Sequence, residues 1–279
     1  MSSSHSIQVY RANLTSKVDC PGFDDSVRSD TEILREITET LSALYIVGLK
    51  LRGVIYLQRI TDVRMQGSSM KNLQLFVKMV GKERLSNVVF ATTMWGKVTP
   101  EDIEIANVRD SELREEYWAD FINMGAQATR FEGSKASAEG ILSILLGKKD
   151  VVLKVQNELV DARKSLRDTE VGEFLEPRVD LERNEFEDRI KALEAQLKAE
   201  RDNGRRLDYK RRQRRAQAGK EQRQRDKQVL ETKPGVEAEE KLERFKNGSL
   251  EVWKNALQAL AAVVSISAGV AGIIMSVVC

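Results

Sequence analysis

Near the start of the chain, "DCPG" (Asp19 to Gly22) has D-x-x-G spacing between an apparent strand end and a helix. A carboxylate at a strand end can hold Mg²⁺, directly or through water. A glycine three residues later lets its backbone N–H approach a terminal phosphate. The chemistry this suggests is phosphate sensing, with Asp19 as metal ligand and Gly22 as sensor. A plain turn built on Asp and Gly is the competing reading. Two further loops follow short apolar runs. In "QRITDVRMQGSSMKNL" (Gln58 to Leu73), Ser68 or Ser69 can cap the next helix. Arg59, Asp62 and Arg64 there need no role beyond the loop. The other loop is "TTMWGKV", Thr92 to Val98.

Several chemistries are disfavoured at once. The single histidine, His5, sits in a Ser-rich leader, so histidine triads and histidine-built zinc sites are not expected. Two cysteines, Cys20 and Cys279, make neither a disulfide framework nor a four-ligand metal site. Reduced, intracellular thiols are the simpler reading. No apolar run follows a basic start, so no signal peptide is visible.

The loops need strands and helices to position them. "LRGVIYL" (Leu51–Leu57) and "NVVFATT" (Asn87–Thr93) are compact, β-branched and too short for helices. "AQATRF" (Ala126–Phe131) is a weaker strand. Helical patterns cover Thr31–Val47, Ser69–Val80, Pro100–Met124 and Ala136–Lys164. Such alternation predicts an α/β domain over residues 18–165, with a parallel sheet covered on both faces and residues 1–17 as a leader. Ligands of such sheets bind beyond the carboxyl ends of the strands.

The second half is different. Gly172 and Pro177 punctuate a linker at 166–178. A charged helical segment follows over 179–232, where Phe186, Ile190, Leu193 and Leu197 form an a/d seam shorter than two heptads. The prediction is a solvated helix or a short coiled coil, with homo- or hetero-oligomers open. Net charge over the chain is +2, yet residues 201–227 hold 12 Lys/Arg against 4 Asp/Glu, which leaves the remainder at −6. "YKRRQRR" (Tyr209–Arg215) reads as a solvated basic face, an anionic-lipid contact or a nucleic-acid patch. No aromatic interleaving supports single-strand nucleic-acid binding. Pro234–Gly235 opens a second linker, 233–252. The final run, Ala256 to Cys279, has 24 residues and no charge. As a helix it would span about 36 Å, more than the ~30 Å hydrocarbon core. Trp253 and Lys254 precede it, where an interfacial aromatic and a cation belong. Residues 253–279 are therefore expected to be a single-pass C-terminal anchor in an intracellular membrane, with the bulk of the chain cytosolic.

Three stretches together carry a family resemblance: "VDCPGFDDSVRSDTEILREI", "GVIYLQRITDVRMQGSSMKNLQLF" and "NVVFATTMWGKV". In this order and at these intervals they resemble fungal G-domain proteins related to the immunity-associated, avirulence-induced GTPases of the septin-like P-loop branch. The resemblance covers roughly residues 18–146. It implies Mg²⁺ and GTP as cofactors, with Asp19 and Gly22 at the metal and γ-phosphate. Thr92, Thr93, Met94 and Trp95 would form the base-side loop.

Two departures stand out. The family usually has an Asp after the Trp, facing the guanine edge, where this chain has Gly96. No G-x-x-x-x-G-K-[ST] cradle occurs either. Gly81–Lys82, Gly96–Lys97, Gly147–Lys148 and Gly219–Lys220 are followed by Glu83, Val98, Lys149 and Glu221. In the family the cradle follows a first strand lying between those that end here at Asp19 and run here over Leu51–Leu57. The expected fold is thus an incomplete, N-terminally truncated GTPase-like sheet. The Asp19 strand would pair directly with Leu51–Leu57 or hang as an edge, with Ser6–Leu14 as a substitute strand. A membrane-anchored G-domain protein with weakened or lost nucleotide binding is the first functional reading. A non-enzymatic membrane-tethered adaptor is the second. A cradle encoded upstream of Met1 is the third.

Overall fold

The computed structural model describes residues 7–12, 15–20, 23, 28–62, 65, 67–246, 262–263 and 273–278. The chain is mixed α/β, with a three-stranded parallel sheet flanked by helices and followed by long helices. Strands β1 (Ile7–Ala12) and β2 (Thr15–Cys20) precede helix α1 (Asp30–Ile46) and strand β3 (Lys50–Arg59). Then come α2 (Ser68–Val80), β4 (Val88–Thr93), α3 (Ile103–Glu112), α4 (Ala119–Asn123), β5 (Gln127–Arg130) and α5 (Lys135–Leu146). A single turn, α6 (Lys154–Gln156), leads to α7 (Glu170–Ala199), α8 (Asn203–Leu230) and α9 (Pro234–Lys246). Two strands close the order, β6 (Ala262–Val263) and β7 (Ile273–Val278).

Strand β3 pairs in parallel with β4, and β4 with β5. Side chains alternate faces along a strand. Val54, Tyr56, Val88 and Phe90 accordingly join the main core, where Ile33, Leu34, Ile37 and Leu41 of α1 and Leu73, Phe76 and Val80 of α2 pack. Ile55, Val89 and Ala91 face the other way and meet Ile141 and Leu145 of α5. Burying each of those two α5 side chains is worth roughly 1.5–3 kcal/mol, enough to hold a short helix on the sheet. Helix α1 starts at a capping box, with Ser29 Oγ accepting from the Glu32 N–H and the Glu32 carboxylate accepting from the Ser29 N–H.

The other half of the sheet runs β3-β7-β2-β1-β6. Here two expectations are corrected. Strand β2 neither pairs directly with β3 nor hangs free, because β7 lies between them, antiparallel to both. The leader does supply a strand, but β1 pairs on the outer side of β2 and leaves the slot beside β3 to β7. The domain boundary expected at residue 17/18 therefore falls inside the sheet.

Both expected linkers are largely helical. Gly172 and Pro177 lie within the early turns of α7, whose N-cap is Thr169. Gly172 is required for packing rather than as a breaker, since a Cβ there would sit 1.9 Å from the Leu166 carbonyl oxygen. Gly172→Ala gains ~1 kcal/mol of helix propensity but meets an unyielding backbone atom, so a net loss of about 2 kcal/mol is expected. Urea unfolding of the variant checks this, and equal or higher stability would contradict the packing account. Pro234 occupies the first turn of α9, which suits a residue without an N–H. Ala238 and Leu242 of α9 pack on Ala43 of α1.

Helices α7 and α8 form an antiparallel hairpin. Lys227 pairs with Asp180 at 2.8 Å, Arg223 with Glu182 at 3.0 Å and Lys220 with Glu187 at 3.6 Å. Gly219 lets α8 approach Phe186, for a Cβ there would lie 2.5 Å from the ring. The apolar seam thus finds a partner within the chain, where Leu193 is buried. At the hairpin base, buried Asp226 accepts from Ser29 Oγ at 2.5 Å and Arg223 Nη1 at 2.6 Å, tying α8 to α1.

Candidate functional site at the carboxyl ends of the strands

Strands β2, β3 and β4 point the same way, so the three loops singled out by sequence leave one end of the sheet. Asp19 is in register with Gln8 and Ile274. Its side chain lies outside the described residues, as does all of Gly22, and so does Arg64. The 24-residue apolar run falls outside them too, apart from the backbone of β6 and β7. Among the described residues no helix is long and apolar enough to cross a membrane. No group of three or more His, Cys, Asp or Glu among them could hold a metal ion.

The loop after β4 is fully described. Thr92 is completely buried, and Thr93 and Trp95 are each 8% exposed. Thr92 Oγ1 donates to Asp110 Oδ1 at 2.8 Å and accepts from Trp95 Nε1 at 3.1 Å. Thr93 Oγ1 reaches the Gln58 carbonyl at 3.4 Å. Met94 sits in the left-handed region at φ 65°, and this turn carries the chain from β4 into Trp95. The Arg130 guanidinium covers the Trp95 ring, 4.1 Å from its centroid.

Asp110 is the centre of this arrangement. Its Oδ2 accepts from Arg114 Nε at 3.0 Å and from Arg130 Nε at 3.0 Å, while Oδ1 accepts from the Thr92 hydroxyl. The carboxylate thereby joins α3, β4 and β5. Sequence reasoning did not single out Asp110, Arg114 or Arg130. The i, i+4 spacing of Asp110 and Arg114 was readable as a helical pair. Arg130 had no such signal, because only the β4–β5 pairing brings it near.

Beside this loop lies a cavity of about 230 Å³, between the end of β3 and the α3 segment, with Gln58, Arg59, Asp62, Arg109, Glu112 and Glu116 among its lining. Charge there opposes phosphate. Arg59 Nη2 is paired with Asp62 at 2.9 Å, and Arg109 Nη1 donates to the Ile60 carbonyl at 3.4 Å. Glu112 and Glu116 stand exposed on the rim. Two residues before Gln58 on β3, Tyr56 is buried, its hydroxyl without a partner among the described residues. Burial first, and then the Asp62 charge, push its phenol well above the ordinary tyrosine range. That rules it out as a base near neutrality.

Any comparison with GTP and Mg²⁺ rests on the loop after β4, since the Asp19 side chain and Gly22 lie outside the described residues. In the loop expected at the base, the Thr92 hydroxyl and the Trp95 N–H are engaged internally, Gly96 offers no carboxylate, and the adjoining cavity is acid-rimmed. Space at position 96 is not the obstacle, since a Cβ there would meet nothing within 4 Å. A scan against protein-family models finds no match to this chain, and a search of curated proteins finds no relative.

Proposed function

We propose that this chain is a membrane-attached relative of the septin-like P-loop GTPases whose α/β domain serves as a non-enzymatic interaction module, with nucleotide binding weakened or lost. The observation that carries the loss is the closed loop after β4. Thr92, Trp95, Asp110 and Arg130 bind one another there, so the Thr92 hydroxyl and the Trp95 N–H are already engaged within the loop. The relationship rests on the three sequence stretches, while in the sheet β7 fills the slot between β2 and β3. The strand in that slot runs antiparallel to its neighbours. A phosphate cradle needs a strand whose carboxyl end meets Asp19, which β7 does not provide.

The decisive measurement is titration of the full chain with a fluorescent GTP analogue and Mg²⁺. No saturation is expected up to about 100 μM, a ceiling equivalent to roughly −5.5 kcal/mol. Gly96→Asp should not rescue binding, because a base contact cannot replace phosphate contacts. Micromolar affinity in the unmodified chain would sink the reading. Membrane attachment through residues 256–279, which would draw β7 out of the sheet, is tested separately, by carbonate extraction of the full chain against one ending at Asn255. Equal extraction would remove the anchor from the proposal.

A further inference from the structure

The hairpin uses its charge unevenly. Near the base, Lys220, Arg223 and Lys227 of α8 are matched by carboxylates of α7. Further along, Lys210, Arg211, Arg214 and Arg215 are all exposed, and none makes an ion pair with another described residue. Successive helical residues are about 100° apart, so these four occupy one arc of roughly 140°. The residues that meet α7, among them Gln213, Gly219 and Lys220, lie on the opposite side of the helix. The cations are thus aligned outward, and among the described residues no carboxylate is ion-paired with them. Leu207 falls inside the same arc and is 52% exposed. A helix face with a row of cations and an exposed leucine matches the pattern of a surface lying on a bilayer.

We propose that this face of α8 docks on an anionic lipid surface, with phospholipid phosphates and carboxylates taking the four cations and Leu207 entering the acyl boundary. The inference builds on the membrane attachment proposed above, which would hold α8 near lipid. A polynucleotide is the less suitable occupant, since no aromatic residue lies in the arc to stack on bases. Each Lys or Arg near an anionic surface contributes an attraction that salt screens within a Debye length.

The test separates the anchor from the stripe. The full chain, made by cell-free synthesis with phosphatidylcholine vesicles, is floated to report the apolar segment, which is indifferent to lipid charge. A full chain carrying Ile266→Glu and Val270→Glu, which block insertion, is then titrated with vesicles lacking or containing about 30% phosphatidylserine. Binding to the anionic vesicles should be about 100-fold tighter, and about 0.5 M KCl should abolish the difference. Adding Lys210→Glu, Arg211→Glu, Arg214→Glu and Arg215→Glu should remove it while leaving the helical circular dichroism unchanged. Equal binding to both vesicle types overturns the proposal, as does a preference that survives high salt. The salt titration needs no stripe substitution, so it decides even where the fourfold variant misfolds. Salt-sensitive binding of single-stranded RNA through these residues, without a phosphatidylserine preference, also overturns it by assigning the face to nucleic acid. Failure of the first arm with success of the second removes the anchor and leaves the stripe standing.

Discussion

Trp118→Ala is expected to remove about 3–5 kcal/mol of folding stability, read as a lower urea midpoint with little change in slope. Trp118 is completely buried and stacks on Phe90 with ring centroids 5.0 Å apart. Phe90 in turn touches Tyr56, Phe76 and Phe121, so the indole closes one end of an aromatic cluster. Its Nε1 has no hydrogen-bond partner among the described residues. The loss therefore measures packing and cavity formation rather than a broken polar contact. Trp118→Phe, which keeps a ring against Phe90, should lose clearly less. A cost below about 1 kcal/mol for the alanine variant would mean that α3 and α4 collapse onto the sheet without the indole, against the close-packed cluster described here.

Asp110→Ala comes next, with an expected loss of about 2–4 kcal/mol. Removing one member of a buried ion pair usually costs more, but here the two arginines reach water. The Arg114 and Arg130 side chains are 31% and 37% exposed, whereas the Asp110 side chain is 4% exposed. Solvent can therefore rehydrate the stranded cations. What is lost is the fastening of α3 to β4 and β5, together with the acceptor for Thr92 Oγ1. Asp110→Asn retains one acceptor and should fall between the two. Hydrogen exchange should show β5 amides opening sooner in the alanine variant, at a urea midpoint still higher than that of Trp118→Ala. Unchanged protection in β5 would show that the carboxylate does not hold these elements together.

The sequence made the centre of the domain legible, and particular residues explain why. Ile33, Leu34, Ile37 and Leu41 follow the helical period, so α1 was readable to within a residue at each end. The β-branched run of β4 sat between clear turns, and β4 is buried at every position. The single helix expected over 100–124 is broken instead. The Trp118 N–H bonds to the Leu113 carbonyl at 2.8 Å, one residue beyond the α-helical partner, in a π-helical turn at Leu113–Tyr117. A 3.6-residue period cannot anticipate an inserted residue, although that insertion precedes the buried indole. Helix α5 likewise stops at Leu146, where a continuous helix to Lys164 was expected. Glycine and proline misled in the other direction. Gly172 and Gly235 looked like breaks because sequence cannot show the carbonyls of Leu166 and Leu159 pressed against them.

Of the loop after β4, the place at a strand end was legible and the side-chain contacts were not. Thr92 to Trp95 do leave the carboxyl end of a strand, as their flanking pattern implied. That the side chains point inward depends on Asp110 and Arg130, which pairing of distant elements brings together.

Strand β7 adds a constraint of its own. Its residues 273–278 lie within the 24-residue apolar run, yet they adopt extended backbone beside β3 and β2. One peptide segment cannot be a sheet strand and part of a bilayer helix at once, since strands rise about 3.3 Å per residue and helices 1.5 Å. A molecule inserted along the whole run would leave the backbone N–H and C=O groups of Lys50 to Tyr56 that face β7 in want of another partner. Lipid and domain compete for the same six residues, and whichever holds them decides whether the middle of the sheet stands open.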